Sequence, residues 1–493
     1  MFKYIFFFLL MTYAFLFSCA QEKQAKGPIN HVEFNIERVD IKPKDTKTLE
    51  AWSYNNTVPG MPIIGNVGET MIIEGVNKLD KTTTIHWHGI SPISYLEDGP
   101  FKPIAPGEKF RFEFKLFKPG TYWYHSHTRP VAEQVNRGLY APFIVKAPED
   151  DQYDGDHIIM LSDMLLGEGK EWQPGLGIGT MERIGNTIAV NGYIDEAIQP
   201  LNIQPGEIHK LRFIGAGSAA YFRVKSPWPL RITHTDGQPT EKPYETQEFI
   251  IGPGERYDAE LMFNEQATGQ FDLEILDSIS EPIFSYKVFS KIPVNIQGEK
   301  KEGRGYIFQG VQKPDYTQWL DKEPEHILYL TSSMGGDATG MGQNVDMHAQ
   351  MGHGPSHSEA MQMPDQGGHS AHGSTDSHSG MSFKWYINGK EYPNVEPIKT
   401  KKNVPMKIRF VNNDSHPMDH PMHLHGTSFR VLSINGQAPA QGGLLDKDVI
   451  NVPKNGGQVD ILLELPETGT WMLHCHILDH EDGGMMMHVD VEE

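Results

Sequence analysis

The feature that most constrains the fold of this chain is a weak internal repeat of one strand-rich unit. Pro-Gly-Glu followed by an aromatic-rich strand occurs at residues 106–108 and again at 253–255, and residues 454–457 precede a third such strand. A comparable second strand follows each turn, at residues 120–125, 269–274 and 469–474. A unit that recurs in this way predicts three copies of one domain.

The strands themselves are short, and Gly and Pro separate them. Apolar residues alternate or cluster over a few positions at residues 70–76, 110–114 and 209–214, while long helical periodicity is hard to find. Such patterning is typical of β-sandwiches. The 493 residues exceed one ordinary core. We therefore expect an all-β protein of three consecutive sandwich domains.

Changes in composition suggest where these domains begin and end. Polar and charged residues replace the strand pattern near residues 147–156 and 291–303, so we place the domains at 28–148, 156–296 and 304–493. Residues 334–381 are rich in Gly, Ser, Met and His and have no core-forming pattern. They are predicted to form a loop inserted in the third domain.

The N-terminus has the features of an export signal over residues 1–19. Lys3 precedes an apolar run at residues 5–17, and the run ends shortly before Cys19. Leu16 three positions before this cysteine resembles a bacterial lipoprotein signal, which predicts a lipid on Cys19 and a membrane-anchored protein at the periplasmic face, on the outer membrane. The alternative is a plain cleaved signal in which Cys19 is incidental.

Charge and cysteine content narrow the classes of partner. The net charge of −21 gives an acidic surface that repels nucleic acid, so no nucleic-acid partner is expected, and we expect a monomer. The cysteines are Cys19 and Cys475. Once Cys19 is assigned to the signal, Cys475 has no disulfide partner. A lone thiol in an oxidising compartment favours a metal-binding role.

Histidine pairs occur in the first and third repeats and are missing from the second. They lie at residues 86–89, 125–127, 420–426 and 474–485. A single His-X-His pair is weak support for a metal site, but their recurrence in two repeats is not plausibly accidental. We therefore expect the chemistry in the outer domains, with the middle domain as a spacer or scaffold.

The last of these segments indicates which metal is bound. Cys475, His480 and Met485 are close in sequence, and His420 can join them from an adjoining strand. One thiolate, two imidazoles and a weak axial thioether are typical of a blue-copper electron-transfer site. Zinc would favour more thiolates and has no redox chemistry. Because histidines flank Cys475 on both sides, its thiolate is covalently joined to a second metal centre.

With these motifs the chain resembles three-domain bacterial multicopper oxidases of the copper-resistance (cuprous oxidase) and laccase-like types, over nearly all of the mature sequence. The resemblance implies cupredoxin-like Greek-key domains and four copper ions, one of type 1, one of type 2 and two of type 3. The implied ligands are His420, Cys475, His480 and Met485 for type 1, His86 and His423 for type 2, His88, His125 and His476 for one type 3 copper, and His127, His425 and His474 for the other.

The same resemblance suggests carboxylates that deliver protons for oxygen reduction. Glu481, directly after a predicted ligand, and Asp98 occupy family-like positions. A buried carboxylate can deliver protons when its pKa is raised toward the working pH. The alternative for each is a solvated loop carboxylate.

The predicted insert points to the electron donor. Thioether sulfur is soft and prefers Cu(I), and the insert resembles the methionine-rich inserts of copper-resistance oxidases that oxidise cuprous ion. Its candidate Cu(I) ligands are Met334, Met341, Met347, Met351, Met361 and Met363. The alternative is an insert of biased composition with no specific role.

A second candidate for the cuprous substrate is Met418, two residues before His420. It matches a position where those oxidases place a Cu(I) ligand beside the blue copper. The usual aspartate two residues earlier is replaced here by His416, although Asp414 and Asp419 are near and could substitute. The alternative is that Met418 only fills space beside the site.

The motifs together predict an oxidase that takes single electrons from Cu(I), in copper tolerance, and reduces dioxygen to water. A laccase-like oxidase of phenols or other organic donors is the nearest alternative. A copper-sequestering lipoprotein without catalysis is the alternative from another class, and it would leave the full ligand set without a use. A copper-free relative should have lost ligands, and a copper nitrite reductase would be shorter.

Overall fold

The computed structural model describes residues 27–43, 48–167, 185–264, 267–278, 289–334, 383–416, 418–439 and 445–493. The predicted signal with Cys19, and the insert beyond Met334, lie outside these residues. Strands dominate the described chain, and its α-helices are α1 (Val131–Asn136), α2 (Thr317–Leu320) and α3 (Leu478–Asp482). The all-β prediction is confirmed. Within the described residues, every helix is too short or too polar to cross a membrane.

The first part of the chain forms two four-stranded sheets that pack as a sandwich. In spatial order, the first sheet contains β2 (Leu49–Tyr54), β1 (Ile29–Ile41), β4 (Thr70–Asn77) and β6 (Lys109–Lys115). The second contains β3 (Ile63–Asn66), β8 (Tyr140–Lys146), β7 (Gly120–His125) and β5 (His86–His88). In β6 the phenylalanines alternate with exposed charged residues, so period-two patterning buries one face of the strand.

The middle part forms one nine-stranded sheet with its own apolar core. In spatial order, the strands are β10 (Thr187–Val190), β9 (Gly155–Met164), β12 (Ile208–Gly215), β15 (Arg256–Met262), β13 (Phe222–Thr235), β16 (Gly269–Asp277), β17 (Phe289–Ile296) and β11 (Leu201–Ile203), with β14 (Gln238–Ile251) paired to β13. Short 3₁₀ segments at Pro148–Gln152 and Asp195–Ala197 precede β9 and β11.

The last part forms a six-stranded and a five-stranded sheet. The first contains β19 (Phe383–Ile387), β18 (His326–Met334), β21 (Met406–Asn412), β26 (Gln458–Leu463), β23 (Phe429–Ile434) and β24 (Asp446–Lys447). The second contains β20 (Ile398–Lys401), β28 (Met486–Glu492), β27 (Gly469–Cys475), β22 (His420–Leu424) and β25 (Val449–Val452).

The first and last parts share one apolar core. Buried side chains such as Trp87 and Phe112 belong to the same continuous cluster as Trp471 and Leu473. Burial of this shared surface is the dominant favourable term that holds the two parts together. It also brings the two pairs of histidine-bearing strands to a common boundary. The domain limits given above stay predictions.

Candidate metal centres

The first centre gathers around the thiol of Cys475, where β27 ends. The sulfur lies 3.4 Å from Nδ1 of His480 on α3 and 3.8 Å from Nδ1 of His420 on β22. The two Nδ1 atoms are 3.2 Å apart. All three side chains are fully buried. One soft sulfur and two imidazole nitrogens that converge in this way can hold a copper ion.

Neighbouring groups hold this centre in place. The amide of Met485 donates to the carbonyl of His480 at 2.9 Å, and its own carbonyl accepts from the amide of Cys475 at 3.0 Å. Met485, the predicted axial ligand, is therefore fastened to both residues and is fully buried. The indole of Trp385 on β19 stacks on the ring of His480 with centroids 3.5 Å apart. Trp385 was not predicted as part of the site.

The second centre lies between the first and last parts of the chain. His86 and His88 lie on β5, which pairs with β7 so that His86 is opposite His125. In the last part, β22 pairs with β27 so that His423 is opposite His474. Residues two apart on a strand share a face, so each His-X-His pair points in one direction. The alternation also turns Cys475 to the face opposite that of its histidine neighbours.

All eight histidines predicted to bind the type 2 and type 3 coppers lie in one buried cluster. Nε2 of His474 lies 3.3 Å from Nε2 of His127 and 3.1 Å from Nε2 of His425. Nε2 of His86 is 3.4 Å from Nε2 of His423. The remaining rings pair with centroids 5.1–5.8 Å apart, and they belong to His88, His125 and His476. The nitrogens of His127, His425 and His474 converge as one predicted set. Those of His88 and His125 converge instead with His86, and His86 also converges with His423 and His425, so the division of the other five ligands among the coppers stays a prediction.

The predicted set of His88, His125 and His476 has buried nitrogens without hydrogen bonds. Among the described residues, Nδ1 of His88, Nε2 of His125 and both ring nitrogens of His476 have no hydrogen-bond partner. An unpaired buried polar atom is costly, and it requires an explanation such as a bound ion. The donor set therefore fits copper, for which imidazole is a preferred ligand.

Backbone and carboxylate oxygens orient these rings. The Nδ1–H groups of His125 and His474 donate to the carbonyls of Ser126 and Cys475 at 2.9 and 3.0 Å. Their Nε2 atoms are thereby left as lone-pair donors. His88 is reversed, because its Nε2–H donates to Oδ1 of Asp448 at 3.1 Å and its Nδ1 is the unpaired atom. Such outer hydrogen bonds set the tautomer of a metal-binding histidine.

Burial keeps most of these imidazoles neutral. Taking the charged ring out of water, with a contribution from neighbouring imidazoles, lowers the pKa well below its usual value in His88, His125, His423 and His425, and to about 3 in His127 and His476. A neutral imidazole offers its lone pair, so the cluster is ready to bind metal at neutral pH.

Both predicted proton donors lie against the histidine cluster. Glu481 is fully buried, with Oε1 3.4 Å from Nε2 of His127 and Oε2 3.2 Å from Nδ1 of His474. Asp98 is also buried, and its Oδ2 accepts from Nδ1 of His425 at 2.7 Å. Neither is a solvated loop carboxylate.

The pKa of Glu481 differs from what the sequence argument requires. Burial would raise this pKa, but the imidazoles of His474 and His127 lower it to about 2. Burial would likewise lower the pKa of His474, and the Glu481 carboxylate raises it instead. In the metal-free chain the proton of this pair therefore resides on His474. Because a ligand imidazole must be unprotonated, metal binding removes that charge.

The loop before His420 contains Asp414, one of the two aspartates that could stand beside this predicted blue-copper ligand, and Asp419, the other, directly precedes it. Oδ2 of Asp414 lies 3.3 Å from Nε2 of His420, and the Asp414 side chain is buried. Asp419 instead accepts from the Asn451 side chain at 2.7 Å and from the amide of Lys454 at 2.8 Å. Of the two alternatives, Asp414 contacts the site and Asp419 does not.

Two other substrate candidates are described, Met418 on the same loop and Met334 at the end of β18. Met418 is buried, and its carbonyl accepts from the side chain of Asn412 at 2.9 Å. Met334 is the last residue of β18, where it pairs with Phe383 of β19. The remaining candidate ligands of the insert lie outside the described residues.

The chain is similar to known multicopper oxidases over most of its length. Models described as multicopper oxidase match residues 35–150, 155–281 and 360–493. A multicopper oxidase of Mycobacterium tuberculosis, MmcO, is 27% identical over 486 residues, covering 92% of this chain and 85% of that protein. A copper resistance protein A homologue of Pseudomonas syringae pv. tomato is 24% identical and covers 90% of this chain and 89% of that protein.

A solved structure gives the same result for the fold. A multicopper oxidase from Campylobacter jejuni, described as a metallo-oxidase, superposes with a TM-score of 0.73 at 25% identity. The match covers 96% of this chain and 93% of the other. The expected architecture of consecutive cupredoxin-like β-sandwiches is confirmed.

Proposed function

The chain belongs to the multicopper oxidase family, and from that premise we propose that it oxidises cuprous ion with dioxygen, in copper tolerance. Its cofactor is copper of types 1, 2 and 3, and its reaction needs dioxygen and a reducing substrate. In the proposed reaction four Cu(I) ions each lose one electron, and one dioxygen with four protons becomes two water molecules.

We assign the copper ligands as the sequence predicts. His420, Cys475, His480 and Met485 would hold the type 1 copper, and the cluster of eight histidines would hold the other three. When bound, these coppers would supply the one-electron acceptor at Cys475 and the four-electron reduction of dioxygen at the cluster. The chain contributes the backbone of residues 474–476, which joins the two centres covalently, and the buried carboxylates of Glu481 and Asp98 for protons.

The proposal that Cu(I) is the electron donor rests mainly on the position of Asp414. Its Oδ2 faces Nε2 of His420, whose Nδ1 faces the Cys475 sulfur. Its Oδ1 accepts from the hydroxyl of Ser332 at 2.5 Å and from the amide of His416 at 2.9 Å. A cation held by this fixed carboxylate would be joined through one imidazole to the electron acceptor. A cation gains a direct charge–charge contact with this carboxylate, whereas a neutral organic donor does not.

The positions of the residues that flank the methionine-rich insert support the same donor. The strand that leads into the insert carries Ser332, which donates to Asp414, and the strand that leaves it begins at Phe383. The ring of Phe383 lies 5.9 Å from the ring of His416. The residues at both ends of the insert therefore lie beside the type 1 centre. The thioethers of the insert, which is attached at these two ends, and the thioether of Met418 are soft ligands that suit Cu(I). Relatives described as a copper resistance protein and a metallo-oxidase agree with this proposal.

Oxygen uptake by the copper-loaded protein tests the donor. We expect uptake with Cu(I) to exceed uptake with a phenol, and Asp414→Asn to lower kcat/KM for Cu(I) by about ten-fold or more while phenol oxidation changes much less, since it removes a charged contact to the cation. Asp419→Asn, on the same loop but turned away, is the matched control. Efficient phenol oxidation with little Cu(I) turnover would instead favour the laccase-like alternative. If the fully copper-loaded protein takes up oxygen with neither donor, copper sequestration without catalysis becomes the favoured function.

The insert has its own test. Deleting residues 335–381 while keeping the paired ends of β18 and β19 removes the clustered thioethers, so we expect KM for Cu(I) to rise several-fold with unchanged blue absorption. The phenol rate serves as the control. Cu(I) kinetics identical to those of the full chain would show that the insert has no role in substrate binding.

We further propose that Cys19 carries a lipid that anchors a monomer at the periplasmic face of the outer membrane. Cys19→Ala is expected to abolish incorporation of labelled palmitate and to release the protein from membranes on cell fractionation. Mass spectrometry of the mature N-terminus identifies the modified residue. If the mature N-terminus is unmodified and cleavage has occurred at another residue, the alternative of a plain cleaved signal is correct.

A further inference from the structure

None of the proposed copper ligands lies in the middle domain, yet one of its buried side chains reaches toward the histidine cluster. Arg256, at the start of β15, is fully buried. Its Nη1 and Nη2 donate to Oδ1 and Oδ2 of Asp448, each at 2.6 Å. The same guanidinium donates to the carbonyl of Gly254 at 3.0 Å and, from Nε, to the carbonyl of Thr121 at 3.1 Å. A bidentate pair of this kind fixes both the position and the plane of a carboxylate.

Asp448 in turn contacts two rings of the cluster. Its Oδ1 accepts from Nε2 of His88 at 3.1 Å, and its backbone carbonyl accepts from Nδ1 of His423 at 2.8 Å. His88 belongs to one proposed type 3 set and His423 to the type 2 pair. The orientation of both rings therefore depends on one residue, whose side chain Arg256 clamps.

A second contact from the middle domain is steric. Gly254, with φ of +84°, lies against His476, and a Cβ at this position would stand 2.7 Å from Cδ2 of that ring. Within the described chain, neither ring nitrogen of His476 makes a hydrogen bond. Packing must therefore orient this ring, and the backbone of Gly254 supplies one wall. Gly254 belongs to the second Pro-Gly-Glu turn of the internal repeat.

Further buried charges brace the same turn. The carboxylate of Asp236 accepts from the amide of Arg256 at 2.8 Å and from the amide of Asp448 at 3.2 Å. Lys447 lies 2.9 Å from Glu255 and 3.3 Å from Asp236. Each charge has an opposite partner, as burial requires. This network joins the middle domain to the strands that carry the cluster.

We propose that Arg256 and Gly254 of the middle domain are positioning residues for the oxygen-reducing cluster, Arg256 through Asp448 on His88 and His423, and Gly254 directly on His476. The proposal rests on the ligand assignment above and is independent of the electron donor. The middle domain then has a defined part in the reaction and is more than a spacer.

The first test compares two buried arginines of the same sheet. Arg256→Lys keeps the charge but cannot hold Asp448 by two parallel hydrogen bonds. Arg212→Lys is the matched control, because Arg212 is equally buried and paired with Asp156 at 2.6 and 3.0 Å on the neighbouring strand. We expect only Arg256→Lys to lower kcat for oxygen uptake about ten-fold and to change the electron paramagnetic resonance spectrum or occupancy of the type 2 copper. Blue absorption should persist in both.

The second test uses the repeat itself. Gly107 occupies the equivalent Pro-Gly-Glu turn of the first repeat with φ of +78°, and a Cβ there would meet nothing within 4 Å. Gly107→Ala and Gly254→Ala therefore carry similar backbone strain, but only the second pushes on a cluster ring. Copper per chain, measured by atomic emission, should fall below four only in Gly254→Ala.

Equal behaviour within each pair would overturn the proposal. If both arginine variants lose thermal stability but keep the type 2 spectrum and the oxygen rate of the parent, Arg256 has only a structural role. If both glycine variants retain four coppers and the parental spectrum, the contact with His476 does not position the ring. Copper content and spectra report these outcomes even when neither donor supports turnover, so they remain separate from the donor proposal.

Discussion

Cys475→Ser is expected to abolish the blue absorption and to reduce oxygen uptake with any donor at least about a thousand-fold. The type 1 centre depends on a thiolate, and a serine hydroxyl is harder and stays protonated at neutral pH. Cys475 is fully buried and its sulfur lies 3.4 Å from Nδ1 of His480, so solvent does not replace it readily. Absorption spectroscopy and an oxygen electrode measure both effects.

The histidine cluster provides the internal control for this variant. Its eight rings do not need the sulfur, so copper content should fall from four to three per chain while the type 2 electron paramagnetic resonance signal remains. A blue band that survives the substitution would mean that the type 1 centre is assigned to the wrong residues.

Glu481→Gln is expected to lower kcat for oxygen uptake about a hundred-fold while blue absorption and all four coppers are retained. The carboxylate lies 3.4 Å from His127 and 3.2 Å from His474, so it is within reach of protons needed at the cluster. Because the pKa of Glu481 is held low in the metal-free chain, the carboxylate would relay protons rather than store one, and loss of such a positioned acid–base group costs at least this much in typical enzymes. The solvent isotope effect on kcat should increase in the variant, because proton delivery becomes the slow step.

The neighbouring carboxylate is the matched control for Glu481. Asp482 is also buried, but it accepts from the amides of Val131 and Ala132 at 2.8 and 2.9 Å at the start of α1. Burial and the neighbouring Glu481 raise the pKa of Asp482 to about 7, so this variant tests the other buried carboxylate of the segment. If Glu481 delivers the protons, Asp482→Asn should lower thermal stability and change kcat much less than Glu481→Gln. Equal losses of kcat in the two variants, with the same isotope effect, would contradict a proton-delivery role for Glu481.

Much of the site was predictable because its chemistry is local in sequence. Cys475, its flanking histidines, His480 and Met485 lie in one segment that runs from the end of β27 through α3 to the start of β28, so their order along the chain largely sets which of them can meet. The all-β class and the recurrence of one strand-rich unit were also predicted from period-two patterning and turn residues. The sequence narrowed the aspartate beside His420 only to Asp414 or Asp419. A loop of irregular backbone has no periodicity from which the inward-facing side chain can be predicted.

The sequence by itself determined the kinds of ligand, their spacing and the copper chemistry they support, because each pair of donors is encoded within a few residues of one strand. Only the tertiary structure decided that Asp414 contacts His420, that Asp448 holds His88, and that the middle domain reaches the cluster through Arg256 and Gly254. Contacts such as that of Arg256 with Asp448 join residues that are far apart in sequence, from the middle and the last parts of the chain. They depend on how the domains pack, and no periodicity or motif within either segment records that packing.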